Sequence, residues 1–200
     1  MPTPLPVRIF DATHIKPPRD FVRPILDPAK PLDLEIGCGV GLHPIRYAKA
    51  NPGRQLIAIE HTREKFDKFA GRVAHHPQLT NLTAVHADAI PWITHALAND
   101  TIDRLFLLYP NPEPQSPNQR WLRMPFFSRL KDVLKTGGTL TLATNIESYF
   151  REACDYGQGI WKLEIFHAGP VAKDSKPRTH FEKKYLERGE ICFDVTFRKP

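Results

Sequence analysis

From Leu32 onward, short apolar runs alternate with amphipathic stretches, and that rhythm predicts the fold. Leu32–Ile36, Leu56–Glu60, Leu82–His86 and Ile102–Tyr109 have the make-up of strands, the last with an apolar centre, Leu105-Phe106-Leu107-Leu108. Between them, His43–Ala50, Thr62–Ala74 and Pro91–Leu97 have the make-up of helices. Phe66, Phe69, Ala70 and Val73 recur at helical spacing and so share one face. Asn51-Pro52-Gly53 stops the first helix, because proline cannot continue it. Nearly continuous apolar strands separated by helices indicate a parallel sheet covered on both faces.

Further along, Arg123–Leu134 predicts a helix, Gly137-Gly138 a turn into a strand over Thr139–Thr144, and Ser148–Tyr156 another helix. Trp161–Phe166 and Ile191–Arg198 alternate like antiparallel strands, joined by a long connector. The sum is an α/β domain over residues 32–200: a seven-stranded, mostly parallel sheet with one antiparallel strand and helices on both faces. Eight of the twenty prolines precede Leu32, so residues 1–31 are expected to form an irregular arm. Arg8, Lys16, Arg19 and Arg23 would suit that arm to a flap over substrate or to packing along the surface.

Composition narrows the class without naming a function. Hydrophobic residues make up 41% and charged residues 25%, which suits one domain with a real core. No apolar run approaches the roughly 18 residues of a membrane span. Met1-Pro2-Thr3-Pro4 lacks the charged and apolar regions of a secretory leader, so a cytoplasmic protein is expected. Cys38, Cys154 and Cys192 are odd in number and widely spaced, as expected of reduced thiols. His14, His43, His61, His75 and His76 form no pair with metal-ligand spacing, and no metal is expected. The net charge of +6 permits a polyanionic partner. Only residues 169–188 concentrate it: Lys173, Lys176, Arg178, Lys183, Lys184 and Arg188 outnumber Asp174, Glu182 and Glu187. A solvated loop and a binding segment explain that stretch equally well.

The chemistry gathers where strands end. Leu32–Gly41 runs Leu-Asp-Leu-Glu-Ile-Gly-Cys-Gly-Val-Gly, and the next strand closes on Glu60. A strand, a glycine turn, a helix and a second strand capped by an acid make a nucleoside-cofactor site. Glycines let backbone approach a ligand, and the carboxylate can hold both ribose hydroxyls. Gly37, Gly39 and Gly41 give Gly-x-Gly-x-Gly, whereas Leu42 stands at the third glycine of the dinucleotide fingerprint. That favours S-adenosylmethionine, which has no pyrophosphate, over a nicotinamide cofactor. Ligands of such sheets bind outside the carboxyl ends of the strands. Glu35 is placed there for the cofactor's ammonium, Glu60 for the ribose diol, and Asp88 with the backbone of Ala89 for adenine. Asp88 would serve equally as a helix cap. Tyr109-Pro110-Asn111-Pro112 presents Asn111 in a rigid frame beside the expected methyl group, as the residue that orients the nucleophile. Trp121, Phe126 and Phe127 are expected to anchor a helix, with base stacking by Trp121 a second use.

The chain resembles the bacterial tRNA (guanine-N7-)-methyltransferase family over about residues 32–198. The similar pieces include Glu35-Ile36-Gly37-x-Gly39-x-Gly41, Ala50-Asn51-Pro52, Ile57-x-Ile59-Glu60 and Ala87-Asp88-Ala89. Pro110-x-Pro112, Ala143-Thr144-Asn145 with Tyr149, and Thr179-x-Phe181-Glu182 with Arg188-Gly189 follow in order. Thr-x-Phe-Glu is the most diagnostic, because generic methyltransferases lack it. The resemblance implies a Rossmann-like class I methyltransferase fold, S-adenosylmethionine as cofactor and tRNA as partner, in a monomer or homodimer. It also implies cofactor contacts at Glu35, Glu60 and Asp88, and substrate contacts on the loop after Asn111 and at Thr179 and Glu182.

The substrate loop departs from the family. Where the family has Pro-Asp-Pro-Trp and a dense basic run, this chain has Asn111 for the aspartate, Glu113 for the tryptophan, and Gln115, Pro117, Asn118, Gln119 and Arg120. Arg120, the cation left in that stretch, is the expected substrate contact there. Guanine N7 already offers a lone pair, so its methylation needs alignment more than a base. The product ring is cationic, however, and a carboxylate at 111 would stabilise it better than an amide. Fewer cations also mean fewer phosphate contacts. Asn111-Pro112 resembles the Asn-Pro pair of amino-group methyltransferases. Three readings therefore stay open: tRNA guanine-N7 methylation, methylation of another nucleobase or a small amine, and a non-catalytic cofactor- or RNA-binding homologue.

Overall fold

The computed structural model describes residues 7–19, 21–172 and 174–200; residues 1–6 and Asp20 of the arm and Lys173 of the basic connector lie outside it. The strands are β1 (Leu32–Ile36), β2 (Gln55–Glu60), β3 (Leu82–His86), β4 (Ile102–Leu108), β5 (Leu134–Thr144), β6 (Glu164–Pro170) and β7 (Phe193–Arg198). The helices are α1 (Leu42–Ala50), α2 (Arg63–Ala74), α3 (Ala89–Ala96), α4 (Phe127–Val133), α5 (Glu147–Gly159) and α6 (His180–Glu187). They build one sheet in the order β3-β2-β1-β4-β5-β7-β6. β7 runs antiparallel to both neighbours, and the remaining pairings are parallel. The fold expected from the sequence is the fold observed.

Strand periodicity sorts side chains onto two faces. Leu32, Leu34, Ile36, Ile57 and Ile59 join the larger core with Trp92, Ile93, Phe127 and Leu130. Leu56 and Ala58 point the other way and pack with Ile45, Ala48 and Phe69 of α1 and α2. Asp33 and Glu35 lie on β1 yet are almost fully buried. Asp33 is neutralised by Arg54, through bonds of 2.6 and 2.7 Å, and by the Tyr47 hydroxyl at 2.7 Å. Removing one partner of such a buried pair costs about 3–5 kcal/mol.

Four boundaries differ from expectation. The helix expected over Arg123–Leu134 shrinks to α4, because Pro125 holds Met124 extended. Gly137-Gly138 is not a turn before β5 but lies within it, where Gly137 adopts φ 78° and the register with β4 slips. The strand expected at Trp161–Phe166 starts later, at Glu164, since Trp161 turns inward. Its Nε1 donates to the Leu122 carbonyl at 2.7 Å, and its ring meets Phe127 at 5.0 Å. The basic connector, to which the sequence reading assigned no helix, contains α6. The described part of the arm lies along α3 and α4. Phe10 packs edge-on against Phe126, and Arg23 donates to the His95 carbonyl at 2.9 Å.

Candidate active site

The carboxyl ends of β1, β2, β4 and β5 border a cleft of about 930 Å³. Six expected residues share its wall: Gly37, Gly39, Glu60, Asp88, Ala89 and Asn111. This volume lies in the range of ligand pockets. Gly37 and Gly39 have φ of 75° and 59°, and a Cβ on either would meet no protein atom within 4 Å. The space above the turn is thus an open cradle. Gly41 differs from both. A Cβ there would lie 2.0 Å from the Phe69 ring, so its role in this structure is close packing of α1 on α2, not a cleft contact.

The amides of the turn decide which ligand suits it. Gly37 and Cys38 N–H both donate to the Ile59 carbonyl, at 2.8 and 3.1 Å. Gly41 N–H donates to the Cys38 carbonyl at 3.1 Å, and Gly39 N–H to Glu60 Oε2 at 2.8 Å. Phosphate-binding glycine turns instead aim free amides at the anion. Here those amides are used internally, and a buried carboxylate stands beneath them. A pyrophosphate would find none of these four amides free, whereas a sulfonium nucleoside without phosphates needs none of them. Glu60 Oε1 also accepts from Thr62 N–H at 2.7 Å. Each oxygen keeps a second lone pair for a ribose hydroxyl. The residues present therefore fit S-adenosylmethionine.

Glu35 does not line the main cleft but an adjoining pocket of about 140 Å³, with Gly37, Gly39, His43, Leu108 and Thr179. His43 Nδ1 lies 2.7 Å from Glu35 Oε2. A carboxylate only accepts, so Nδ1 carries the proton and donates. Sequence alone gave His43 no role beyond the absence of a metal-ligand pair, whereas α1 turns it inward onto β1. Beside it, burial pushes the Cys38 thiol far up, and the nearby Glu35 and Glu60 carboxylates add to the effect. The thiol stays protonated and inert.

Asp88 caps α3, its Oδ1 accepting from Ile90 N–H at 2.9 Å, while the residue remains exposed to the cleft. Asn111 is exposed too; its Oδ1 accepts a long 3.3 Å bond from Glu113 N–H. Tyr109 and Glu113, on either side, have φ of 56° and 45°. A non-glycine residue in this region costs about 1–2 kcal/mol. Strain of this kind persists only where neighbours enforce it. Tyr109 is held by its N–H to the Ala143 carbonyl at 2.8 Å and its hydroxyl to Glu182 Oε1 at 2.9 Å.

Three expected substrate contacts are engaged within the protein. Glu182 is fully buried and accepts from Arg178 N–H at 2.6 Å, from the Arg178 guanidinium and from Tyr109. Burial opposes its charge, but those bonds outweigh it and hold the carboxyl below its ordinary range. Thr179 caps α6, accepting from Glu182 N–H at 3.0 Å. Arg120 donates to the Pro112 carbonyl at 2.6 Å and to Glu152 at 2.9 Å, tying the loop to α5. Glu182 and Arg120 are thus engaged in holding the wall, while Thr179 also lines the pocket beside Glu35. The cleft also gains residues that sequence reasoning passed over: Lys65, Tyr109, Asn145, Phe181 and Tyr185. Phe181 and Tyr185 come from α6, whose signal was available. Thr179-x-x-Glu182 is a capping-box pattern, which announces a helix start. Trp121 lines the cleft as well, while Phe126 and Phe127 are buried.

Comparison with known proteins follows the same lines. A family model described as "Putative methyltransferase" matches residues 29–195. The tRNA (guanine-N(7)-)-methyltransferase of Pseudomonas fluorescens (strain Pf-5) is 30% identical over 183 residues, covering 84% of this chain and 72% of that protein. The protein of the same name from Chromobacterium violaceum is 29% identical over 174 residues, covering 86% and 76%. Among solved structures, the 16S rRNA methyltransferase KamB superposes with a TM-score of 0.66 at 15% identity, covering 86% of this chain and 90% of that one.

Proposed function

Since the chain belongs to the tRNA (guanine-N7-)-methyltransferase family, we propose that it transfers a methyl group from S-adenosylmethionine to guanine N7 in tRNA. The observation that carries this reading is the glycine turn: an open cradle whose amides are satisfied internally, with Glu60 beneath it. When bound, S-adenosylmethionine supplies an electrophilic methyl group on a sulfonium sulfur. Glu60 would hold the ribose diol, and the free Asp88 oxygen with the Ala89 backbone would hold adenine. Glu35, kept in place by His43, would face the cofactor's ammonium end. Asn111 would orient the nucleophile at the mouth of the cleft, in a frame fixed by Pro110 and Pro112. The N7 lone pair needs no base to remove a proton, so the task of these residues is alignment. Thr179, Glu182 and Arg120 would act indirectly, by fixing α6 and the loop around the base. The protein would work where its RNA does, in the cytoplasm.

A second reading keeps the cofactor and changes the acceptor to another nucleobase or an amine. It is favoured by Asn111, whose amide is exposed and only weakly engaged. Labelled methyl transfer to bulk tRNA lacking 7-methylguanine, followed by nucleoside analysis, separates the two. Label in 7-methylguanosine supports the first reading; label in a different nucleoside or only in small molecules supports the second. Cofactor binding without turnover on any pool would mark a non-catalytic homologue.

A further inference from the structure

The loop after β4 offers RNA little charge, because its cations are spent: Arg120 bonds Pro112 and Glu152, and Arg123 bonds Glu152 as well. Cations collect instead on the other side of the glycine turn. On α1, Arg46 and Lys49 follow Leu42 at i+4 and i+7, on one exposed stripe. With Arg72 of α2 and His180 of α6 they wall a pocket of about 400 Å³. A second hollow of about 440 Å³ shares Leu42 and Arg46 with it and adds Lys176 and Lys183. Leu42 and His180 connect the first hollow to the pocket beside Glu35. That pocket meets the main cleft at Gly37, Gly39, Lys65 and Phe181. Hollows with shared walls thus follow one another, a channel in outline, from Lys176 to Asn111.

Three of these cations bond carbonyls or histidines rather than carboxylates. Arg46 donates to the Pro177 carbonyl at 2.9 Å, and Lys49 lies 3.2 Å from His76 Nε2. Arg72 donates to the Val40 carbonyl at 2.9 Å and lies 3.1 Å from His180 Nε2. Lys183 has a loose, exposed contact with Glu187 at 3.7 Å. The field is felt locally: burial, then Arg72, Lys183 and Arg46, hold His180 below its ordinary value. Of the exposed large apolar residues described, Phe181 alone touches this channel, and it lies at the cleft end. A membrane or an apolar protein partner would find no anchor along the strip. A sugar–phosphate chain would find cations spaced along hollows that lead to the cleft beside Asn111.

We propose that this strip on α1, α2 and α6 binds backbone phosphates of the RNA substrate, in place of the basic run missing after β4. The proposal rests on the RNA-methylation reading for its partner, but its test is separate. Transfer RNA binding is measured by fluorescence anisotropy across a salt series. The wild type is compared with a Lys49→Gln, Lys176→Gln, Lys183→Gln variant and a charge-matched control, Lys30→Gln, Lys135→Gln, Lys162→Gln. Each lost phosphate contact lowers the log–log salt slope by about 0.7–0.9. The strip variant is expected to lose about two units of slope and the control none, with cofactor titration confirming that both are folded. An unchanged slope in the strip variant, an equal loss in the control, or no RNA binding by the wild type would overturn the proposal. If the slope falls but no tRNA is methylated, the strip stands and the reaction assignment fails. If tRNA is methylated with an unaltered slope, the assignment stands and the strip fails.

Discussion

On the cofactor side, the three acids Glu35, Glu60 and Asp88 come from strand tips, and each bonds a neighbour close in sequence. Asp88 caps an amide 2 residues away, Glu35 meets His43 at a separation of 8, and Glu60 reaches Gly39 across 21. On the substrate side the same work spans the chain: Arg120 reaches Glu152 across 32 residues, and Tyr109 reaches Glu182 across 73. The first half is a local motif that folds into shape wherever a βαβ unit forms. The second is an assembly in which α6 and the loop after β4 hold one another. The departures at Asn111 and Glu113 fall in that second half, where a changed side chain would leave the cofactor cradle intact.

The sharpest break between the halves should come from Glu182. Glu182→Ala leaves Arg178 short of its buried partner and frees strained Tyr109, and about 3 kcal/mol of stability should be lost. Chemical denaturation measures this, and a loss near zero would show that α6 is not held through Glu182. The pH dependence has a definite sign. A carboxyl held below its ordinary value stabilises the fold at neutral pH, and that contribution fades as pH falls through the native value. Glu182→Gln should therefore remove part of the acid sensitivity of the melting temperature. An identical acid profile in the variant would contradict the assignment.

On the cofactor side, Glu60→Ala should weaken S-adenosylmethionine binding by at least about tenfold, since charge-assisted hydrogen bonds are worth about 1.5–3 kcal/mol. Calorimetric affinity equal to wild type would remove the ribose role. The glycines sharpen the comparison further. Gly41→Ala forces a methyl group into the Phe69 ring and should cost about 1–3 kcal/mol of stability. Gly39→Ala meets open space and should cost about 1–2 kcal/mol for its left-handed φ while obstructing the cofactor. Binding should thus fall more for Gly39→Ala, and melting temperature more for Gly41→Ala. The reverse order would merge the two roles. The smallest effect is expected at Asn111→Asp, a several-fold gain in turnover on tRNA from a carboxylate beside the cationic product ring. Loss of activity would mean that the amide serves another nucleophile.

How much of this was legible follows the same division. Strand tips, the glycine turn and the acids at 35, 60 and 88 could be placed from spacing because a βαβ unit is local. Expecting the helix after β4 to start at Arg123 failed because Pro125 interrupts a pattern that looks helical by periodicity alone. The connector was assigned no helix because its charge masked a capping box, Thr179 to Glu182. His43 was passed over because nothing local reveals that α1 turns its first face onto Glu35. Glu182 carries a family signature, but that signature cannot tell a residue that touches substrate from one that holds the wall. Burial and five hydrogen-bonding contacts to Arg178 and Tyr109 distinguish them.

The central claim is that this turn accepts a sulfonium nucleoside and rejects a pyrophosphate. Isothermal titration of the purified protein with S-adenosylmethionine, and in parallel with a nicotinamide dinucleotide, tests it most directly. The account predicts saturable one-to-one binding of the first and no heat from the second. Binding of the dinucleotide, or silence with S-adenosylmethionine, would contradict it.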